Sequence, residues 1–230
     1  MQGHLQAVGT ASQPITFTSA TDSGPYQWEG LVFDGGTGHL RHVTVRYGGQ
    51  PNGIANSNIS VRNVLTEEVR IESSWVVSGF RSSTTDYGLY VANSHVVVSD
   101  TLFSDNGDAT YDVALYATGA STVLTLTGNT FQDNAGWAVR VEPGHLGQVW
   151  LTDNTFNGNG HDRVLIAGGS VADGARLVPQ AIWEGYELDD DVAVPAGVTL
   201  TLEPGVVVMG QNWTQLKVQG HLQAVGTASQ

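Results

Sequence analysis

Three consecutive carboxylates, Asp189, Asp190 and Asp191, form the densest acidic run in the sequence. Acids this close could share a divalent cation or divide acid and base roles in a hydrolysis. Asp105-Asn-Gly-Asp108 has half the outline of a calcium loop, but the bidentate glutamate that such a loop needs downstream is missing, so it reads as a turn. The histidines, His4, His39, His42, His95, His145, His161 and His221, show neither i, i+4 spacing on a helical stretch nor a clustered acid partner, and no metal site is expected from them. No GxSxG elbow accompanies the many Ser, His and Asp residues. The absence of cysteine excludes thiol catalysis, Cys-ligated zinc and disulfides. Six tryptophans, Trp28, Trp75, Trp137, Trp150, Trp183 and Trp213, could stack on sugar rings if several faced one groove. Trp28 and Trp75 sit in alternating stretches and read as packing residues, whereas Trp183 and Trp213 lie near turns and are the better candidates for exposure. The expectation is therefore a chain with no catalytic residue, no cofactor and no metal.

The elements that would have to position such residues are strands and turns. The 230 residues are 40% hydrophobic, enough for one large β domain. Counting 29 Val, 29 Gly and 22 Thr against 8 Glu and a single lysine, Lys217, the chain is poor in helix formers and rich in strand and turn formers. Net charge is −13, and the nine basic residues are scattered singly, so nucleic acid is not an expected partner. No run approaches the roughly 18 consecutive apolar residues of a membrane span, and the first residues lack the charged and apolar regions of an export leader.

Two repeats organise the chain. Gln2 to Gln13 reads QGHLQAVGTASQ, and Gln219 to Gln230 reads the same twelve residues at an offset of 217. Residues 2–218 are thus read as one 217-residue period of a tandem array, with 219–230 beginning the next copy. Met1 stands where Val218 precedes the second copy, as an added start would. Because both copies are strand-forming, the chain is expected to join a second molecule end to end through them, one copy being displaced or exchanged at the junction. The residues assigned to that junction are Gln2, Gly3, His4, Leu5 and Gln13 with Gln219, Gly220, His221, Leu222 and Gln230.

A shorter repeat lies inside the period. VSDTLFSDN from Val98, LTGNTFQDN from Leu126 and LTDNTFNGN from Leu151 align at spacings of 28 and 25. This register places Phe103, Phe131 and Phe156 in one column and Asn106, Asn134 and Asn159 in another, with looser copies at Ile71 to Val76 and Leu40 to Val45. Apolar residues alternate with threonines, as in Val198-Thr-Leu-Thr-Leu202, which is period two and not 3.6. An antiparallel sandwich gives no reason for one residue type to recur at one place in successive units. A parallel β-helix does, because equivalent positions stack about 4.8 Å apart. The expected fold is all-β, a single right-handed parallel β-helix domain of eight or nine coils of about 25 to 31 residues, with a rise of about 40 Å per period. Phe should stack on Phe inside, and each Asn should bond the coils above and below while accommodating αL geometry.

The runs DVAVPAGVTLTLEPGVVV (Asp191 to Val208), LKVQGHLQAVGTASQ (Leu216 to Gln230) continued by PITFTS (Pro14 to Ser19), WEGLVF (Trp28 to Phe33) and LRHVTVRYGG (Leu40 to Gly49) resemble right-handed parallel β-helix modules of bacterial surface proteins, and the NTF turns are similar to the wider pectin-lyase-like β-helices. The resemblance covers most of the chain but lies in scaffold residues, so it implies a fold more strongly than a function. Pectate-lyase relatives carry an acidic calcium cluster with a basic residue, and polygalacturonase relatives several aspartates with an Arg-Ile-Lys segment; neither set is found here. In the resembling modules the segment equivalent to Asp189–Asp191 leads into the first strand of a coil. The resemblance implies an extracellular or cell-surface structural repeat, a stiff rod or filament whose partner is another copy of itself. A carbohydrate-binding or adhesive module is the alternative and a polysaccharide-cleaving enzyme the third reading. Two or more acids in one cleft would favour the enzyme, aromatic rings lining a groove the binder, and a bare exterior the rod.

Overall fold

The computed structural model describes residues 3–49, 56–79, 85–180 and 183–227. Every pairing between its strands is parallel, and each strand pairs with the strand one coil earlier or later, so the chain is a β-solenoid. Among the described residues the only helical element is a 3-10 turn at Pro143–His145. A first face stacks His4–Val8, Thr37–Arg41, Val69–Glu72, His95–Ser99, Val123–Thr127 and Val149–Thr152. The second stacks Ile15–Phe17, Val43–Arg46, Trp75–Val77, Leu102–Ser104, Thr130–Gln132 and Thr155–Asn157. The third runs through eight strands, from Leu31–Asp34 by way of Tyr87–Ala92, Val113–Thr118 and Trp137–Val141 to Gly185–Leu188 and Val208–Gly210. Seven pairings join those eight strands, so seven full turns lie between Leu31 and Gly210. That is slightly fewer than the eight or nine coils expected, because the expectation divided the whole length, including residues outside this face, by the coil length.

Alternation along each strand fills the core. On the third face Leu31, Ile59, Leu89, Leu115, Val139, Val164, Tyr186 and Val208 follow one another in register, and on the first face Ala7, Leu40, Ile71, Val98, Leu126 and Leu151 do the same. Gly38 interrupts an apolar column because the Phe33 ring occupies the space, leaving only 2.4 Å to a built Cβ.

A regular coil bends three times, and most of these bends fall on columns of left-handed residues, the return after Val141 running instead through the 3-10 turn at Pro143–His145. His42, Ser73, Asp100, Gly128 and Asp153 turn the chain from the first face to the second; Tyr47, Ser78, Asp105, Asp133 and Gly158 turn it to the third. Gly35, Asn63, Asn93 and Gly119 return it. The αL residue at the second corner is therefore not Asn106, Asn134 or Asn159, as the sequence suggested, but the residue before each: Asp105 and Asp133 at φ 54° and Gly158 at φ 72°. Bending one residue earlier turns the asparagine side chain inward, where it can bond both neighbouring coils.

After Ile166 the pattern changes. Two three-stranded sheets take over: Gly169–Ser170, Val192–Val194 and Leu216–Val218 form one, and Ala175–Leu177, Thr199–Leu202 and His221–Ala224 the other. A cleft of about 500 Å³ opens where the first face stops, between Val149–Thr152 and Ala175–Leu177, with Trp150 and Arg176 on its walls.

Candidate functional site

Two buried columns hold the coils in register. The Phe103 and Phe131 rings stack at 4.8 Å and the Phe131 and Phe156 rings at 5.3 Å, each pair 9° from parallel. That spacing is imposed by strands one coil apart, whose residues Phe103, Phe131 and Phe156 are direct partners. Beside them runs an amide ladder. Asn106 Nδ2 donates to Asn134 Oδ1 at 3.0 Å, Asn134 Nδ2 donates to Asn159 Oδ1 at 2.7 Å, and Asn159 Nδ2 donates to Asp162 Oδ1 at 2.6 Å. Each amide also satisfies backbone: Asn134 reaches Phe103 O, and the Asn106 N–H donates to Asn134 Oδ1 at 3.1 Å. Asn58 extends the row downward, donating to Asn106 Oδ1 at 3.1 Å.

A second ladder at the first corner has mixed chemistry. Val43 N–H donates to Ser74 Oγ, Ser74 N–H to Thr101 Oγ1, Thr101 N–H to Asn129 Oδ1, Asn129 N–H to Asn154 Oδ1 and Asn154 N–H to Gln180 Oε1. Sequence reasoning missed it, although Thr101, Asn129 and Asn154 stand in one column of the alignment that revealed the phenylalanines. Its signal is a shared hydrogen-bonding role and not a shared residue type.

The richest exposed chemistry is on the third face. Tyr90, Tyr116 and Arg140 are consecutive partners pointing outward. Tyr87 joins them: the Tyr87 and Tyr116 rings lie 5.5 Å apart, the Tyr90 and Tyr116 rings 5.9 Å apart, and the Arg140 guanidinium sits 5.3 Å from the Tyr116 ring. Burial against one another pushes the Tyr87 hydroxyl up to about 12 and raises Tyr90 and Tyr116 as well, so all three remain neutral donors at physiological pH. The strip runs into a groove of about 590 Å³ containing Glu142 and Asp189, Asp190 and Asp191.

The acidic run therefore does more than lead into a strand, because the fold sets it opposite a fourth carboxylate. Each acid is nevertheless held by its own partner. Asp189 accepts from Arg140 Nη2 at 3.0 Å, and Asp190 accepts from the Asp191 N–H at 2.7 Å. Asp191 accepts from Gln215, and Glu142 accepts from Thr118 Oγ1 at 2.5 Å and Tyr116 OH at 3.3 Å. A different trio, Asp86, Asp108 and Asp112, brings its carboxylates within 4.8 Å of one another. There Asp112 accepts the N–H groups of Asp86, Asp108 and Ala109 at 2.8–2.9 Å, which closes the turn read from Asp105 to Asp108.

The histidines disperse. His4 bonds Thr37 Oγ1, His39 bonds Glu72, and His161 stacks on Trp137 at 3.9 Å. His145 is buried at 3% exposure with its Nδ1 unpartnered, and burial lowers its pKa against a weaker opposing pull from Glu142. A histidine depressed in the folded state is neutral in both states above about pH 6.5, its unfolded value; as pH falls below that, only the unfolded chain takes the proton. The expected result is a melting temperature that drops as pH falls from 6.5 towards the folded-state value and then levels off. His145→Gln should flatten that step in a pH series of thermal melts.

The tryptophans divide differently from the sequence reading. Trp213 is fully exposed, but Trp183 packs edge-on against Tyr186 at 4.7 Å on the core, and Trp150, read from sequence without a role, is 52% exposed beside the interrupted first face. Trp28 lies in a bend and not a strand, its Nε1 donating to Arg46 O at 2.8 Å. Lys217 is exposed. Of the junction residues, Gly3, His4, Leu5 and Gln13 lie at one end of the solenoid and Gln219, Gly220, His221 and Leu222 at the other; Gln2 and Gln230 lie outside the described residues.

Parallel coils, inward ladders and three left-handed corners define a β-solenoid. The chain belongs to the right-handed β-helix family: a family model described as right handed beta helix region matches residues 11–177, well over half its length. No curated protein and no solved structure matches it.

Proposed function

We propose that the chain is one period of an extended extracellular β-solenoid rod, a structural module without catalytic activity. The observation that carries this reading is the 217-residue offset between two identical segments, each lying as a strand at an opposite end of the coil stack. A rod suits the fold because length grows by adding coils without any new kind of contact. The charge of −13 would keep neighbouring rods apart laterally. The four groove acids are each engaged by a donor of the scaffold, Asp189 by Arg140, Asp190 by the Asp191 N–H, Asp191 by Gln215 and Glu142 by Thr118 and Tyr116, which argues for scaffold work. The experiment is a chain carrying residues 2–218 twice in tandem. By electron microscopy it should form a single straight particle longer than the parent by about 40 Å, the rise of one period. Two globular bodies joined by a bend would overturn the reading.

The alternative of a carbohydrate-binding module draws on one observation, the strip of Tyr87, Tyr90 and Tyr116 opening into the Arg140–Glu142 groove. Aromatic faces beside paired carboxylates offer stacking and hydroxyl acceptors to a sugar.

A further inference from the structure

Between Val149–Thr152 and Ala175–Leu177 the stacking of strands is interrupted in the interior of the chain. Among the described residues each is the outermost strand of its sheet, although coils continue on both sides of the gap. The cleft between them is one strand long. Before it, Gly147 packs on the next coil, a built Cβ lying 3.0 Å from Asp173 O; after it, the Asn154 N–H donates to Gln180 Oε1 at 3.3 Å. From Gln148 to Asp153 an extended chain spans about 20 Å.

Backbone groups line both walls. The Leu124 N–H donates to Gln148 O and the Gly128 N–H to Thr152 O, so these alternate residues bond the preceding coil. Strand alternation then aims the N–H groups of Val149 and Leu151 into the cleft. On the opposite wall the Glu203 N–H donates to Leu177 O, which leaves the Arg176 backbone facing the same gap. At the offset of 26 that Asn154 and Gln180 set, Val178 stands opposite Thr152. Its N–H and C=O are both taken by the Tyr186 hydroxyl, at 3.2 and 2.9 Å, and Pro179 has no N–H to offer. The two walls therefore do not zip together.

The lining narrows the occupant. Leu146, Val149, Leu151 and Val178 give the cleft an apolar floor, and Trp150 stands half exposed beside it. Asp153 and Asp173 are exposed at its two ends, while Arg176, the cation on its wall, is held by Glu203 at 3.0 Å. Open strand edges suit another strand, the floor suits apolar side chains at alternate positions, and the end carboxylates suit positive charge. From these facts we infer that the cleft takes a short extended peptide of a partner protein, apolar at alternate residues and basic at each end. The peptide lies between Val149–Thr152 and Ala175–Leu177 as an added strand, its flanks leaving over Asp153 and Asp173. The inference goes beyond the rod reading, because it gives a structural module a point of attachment.

The test is fluorescence polarisation with the full chain and a dye-labelled peptide, Lys-Val-Thr-Val-Thr-Lys, whose six residues match the cleft. Saturable binding is expected. The same peptide methylated on its two central amide nitrogens, which face opposite walls, should bind about ten-fold more weakly or worse, since its side chains and charge are unchanged. Glutamate in place of both lysines should weaken it by a similar factor. On the protein, Trp150→Ala should cost about five-fold and Asp153→Asn about three-fold; both positions are exposed, so the fold is retained. No saturation at millimolar peptide, equal binding of the methylated peptide, or binding untouched by both substitutions overturns the inference. The tandem chain tests the rod separately, so a straight two-period particle that binds no peptide would sink the docking cleft alone.

Discussion

Replacing Asn134 by alanine should lower the free energy of unfolding by about 3–5 kcal/mol, the sum of several lost bonds and the donors they leave behind. Asn134 is buried and its amide makes four hydrogen bonds: it donates to Phe103 O and Asn159 Oδ1 and accepts from the backbone and the side chain of Asn106. A typical bond contributes about 1 kcal/mol net, but a buried N–H left without a partner costs about 1–3 kcal/mol more. Asn134→Asp should be at least as harmful at neutral pH, since a carboxylate cannot donate to Phe103 O and brings an unpaired charge indoors. Asn157→Ala, at an exposed position one coil above Gln132, should stay within about 0.5 kcal/mol. Urea denaturation read by tryptophan fluorescence would separate the three; equal midpoints for Asn134→Ala and Asn157→Ala would show that the ladder contributes nothing to stability.

Phe131→Ala should cost about 3–5 kcal/mol, as for other fully buried aromatics. The ring is sealed from solvent between Phe103 and Phe156, and its removal leaves a cavity that the flanking rings cannot close, because each is fixed to its own strand at the coil spacing. Phe131→Leu, which refills most of the volume, should cost less than about 1.5 kcal/mol. Phe103→Ala combined with Phe131→Ala should cost less than the two singly added, since the second deletion enlarges an existing void. Denaturant midpoints of the four proteins measure both the size of each effect and the coupling.

The reason these two positions could be found in the sequence is the reason they matter. In a solenoid, residues one coil apart touch, so a side chain that prefers its own kind leaves a periodic trace, as Phe103, Phe131 and Phe156 do. Where the same role is filled by different chemistry the trace vanishes: Ser74, Thr101, Asn129, Asn154 and Gln180 each accept one backbone N–H, and only the three-dimensional register unites them. The tyrosine strip was hidden for another reason. Tyr90, Tyr116 and Arg140 are separated by 26 and 24 residues, and Arg140 reaches Asp189 across two coils, 49 residues away. The residue type changes along the column, from Tyr90 and Tyr116 to Arg140, so no repeated residue marks the strip as the phenylalanines mark theirs. The placement of αL residues was misjudged by one position because Asp and Asn both tolerate that geometry, and composition does not say which of two adjacent polar residues bends and which turns inward.

The hydrogen bonds between coils run along the axis of the stack, which sets how such a rod meets tension. Pulled from its two ends, it loads the bonds of a terminal coil first, in the manner of a zipper and not of a rope whose strands share the load. Coils would peel one at a time, each releasing about 80–110 Å of extended chain for its 25 to 31 residues. The module would therefore be stiff against bending yet extensible under sustained pull, giving up length in measured steps while the remaining coils keep their register.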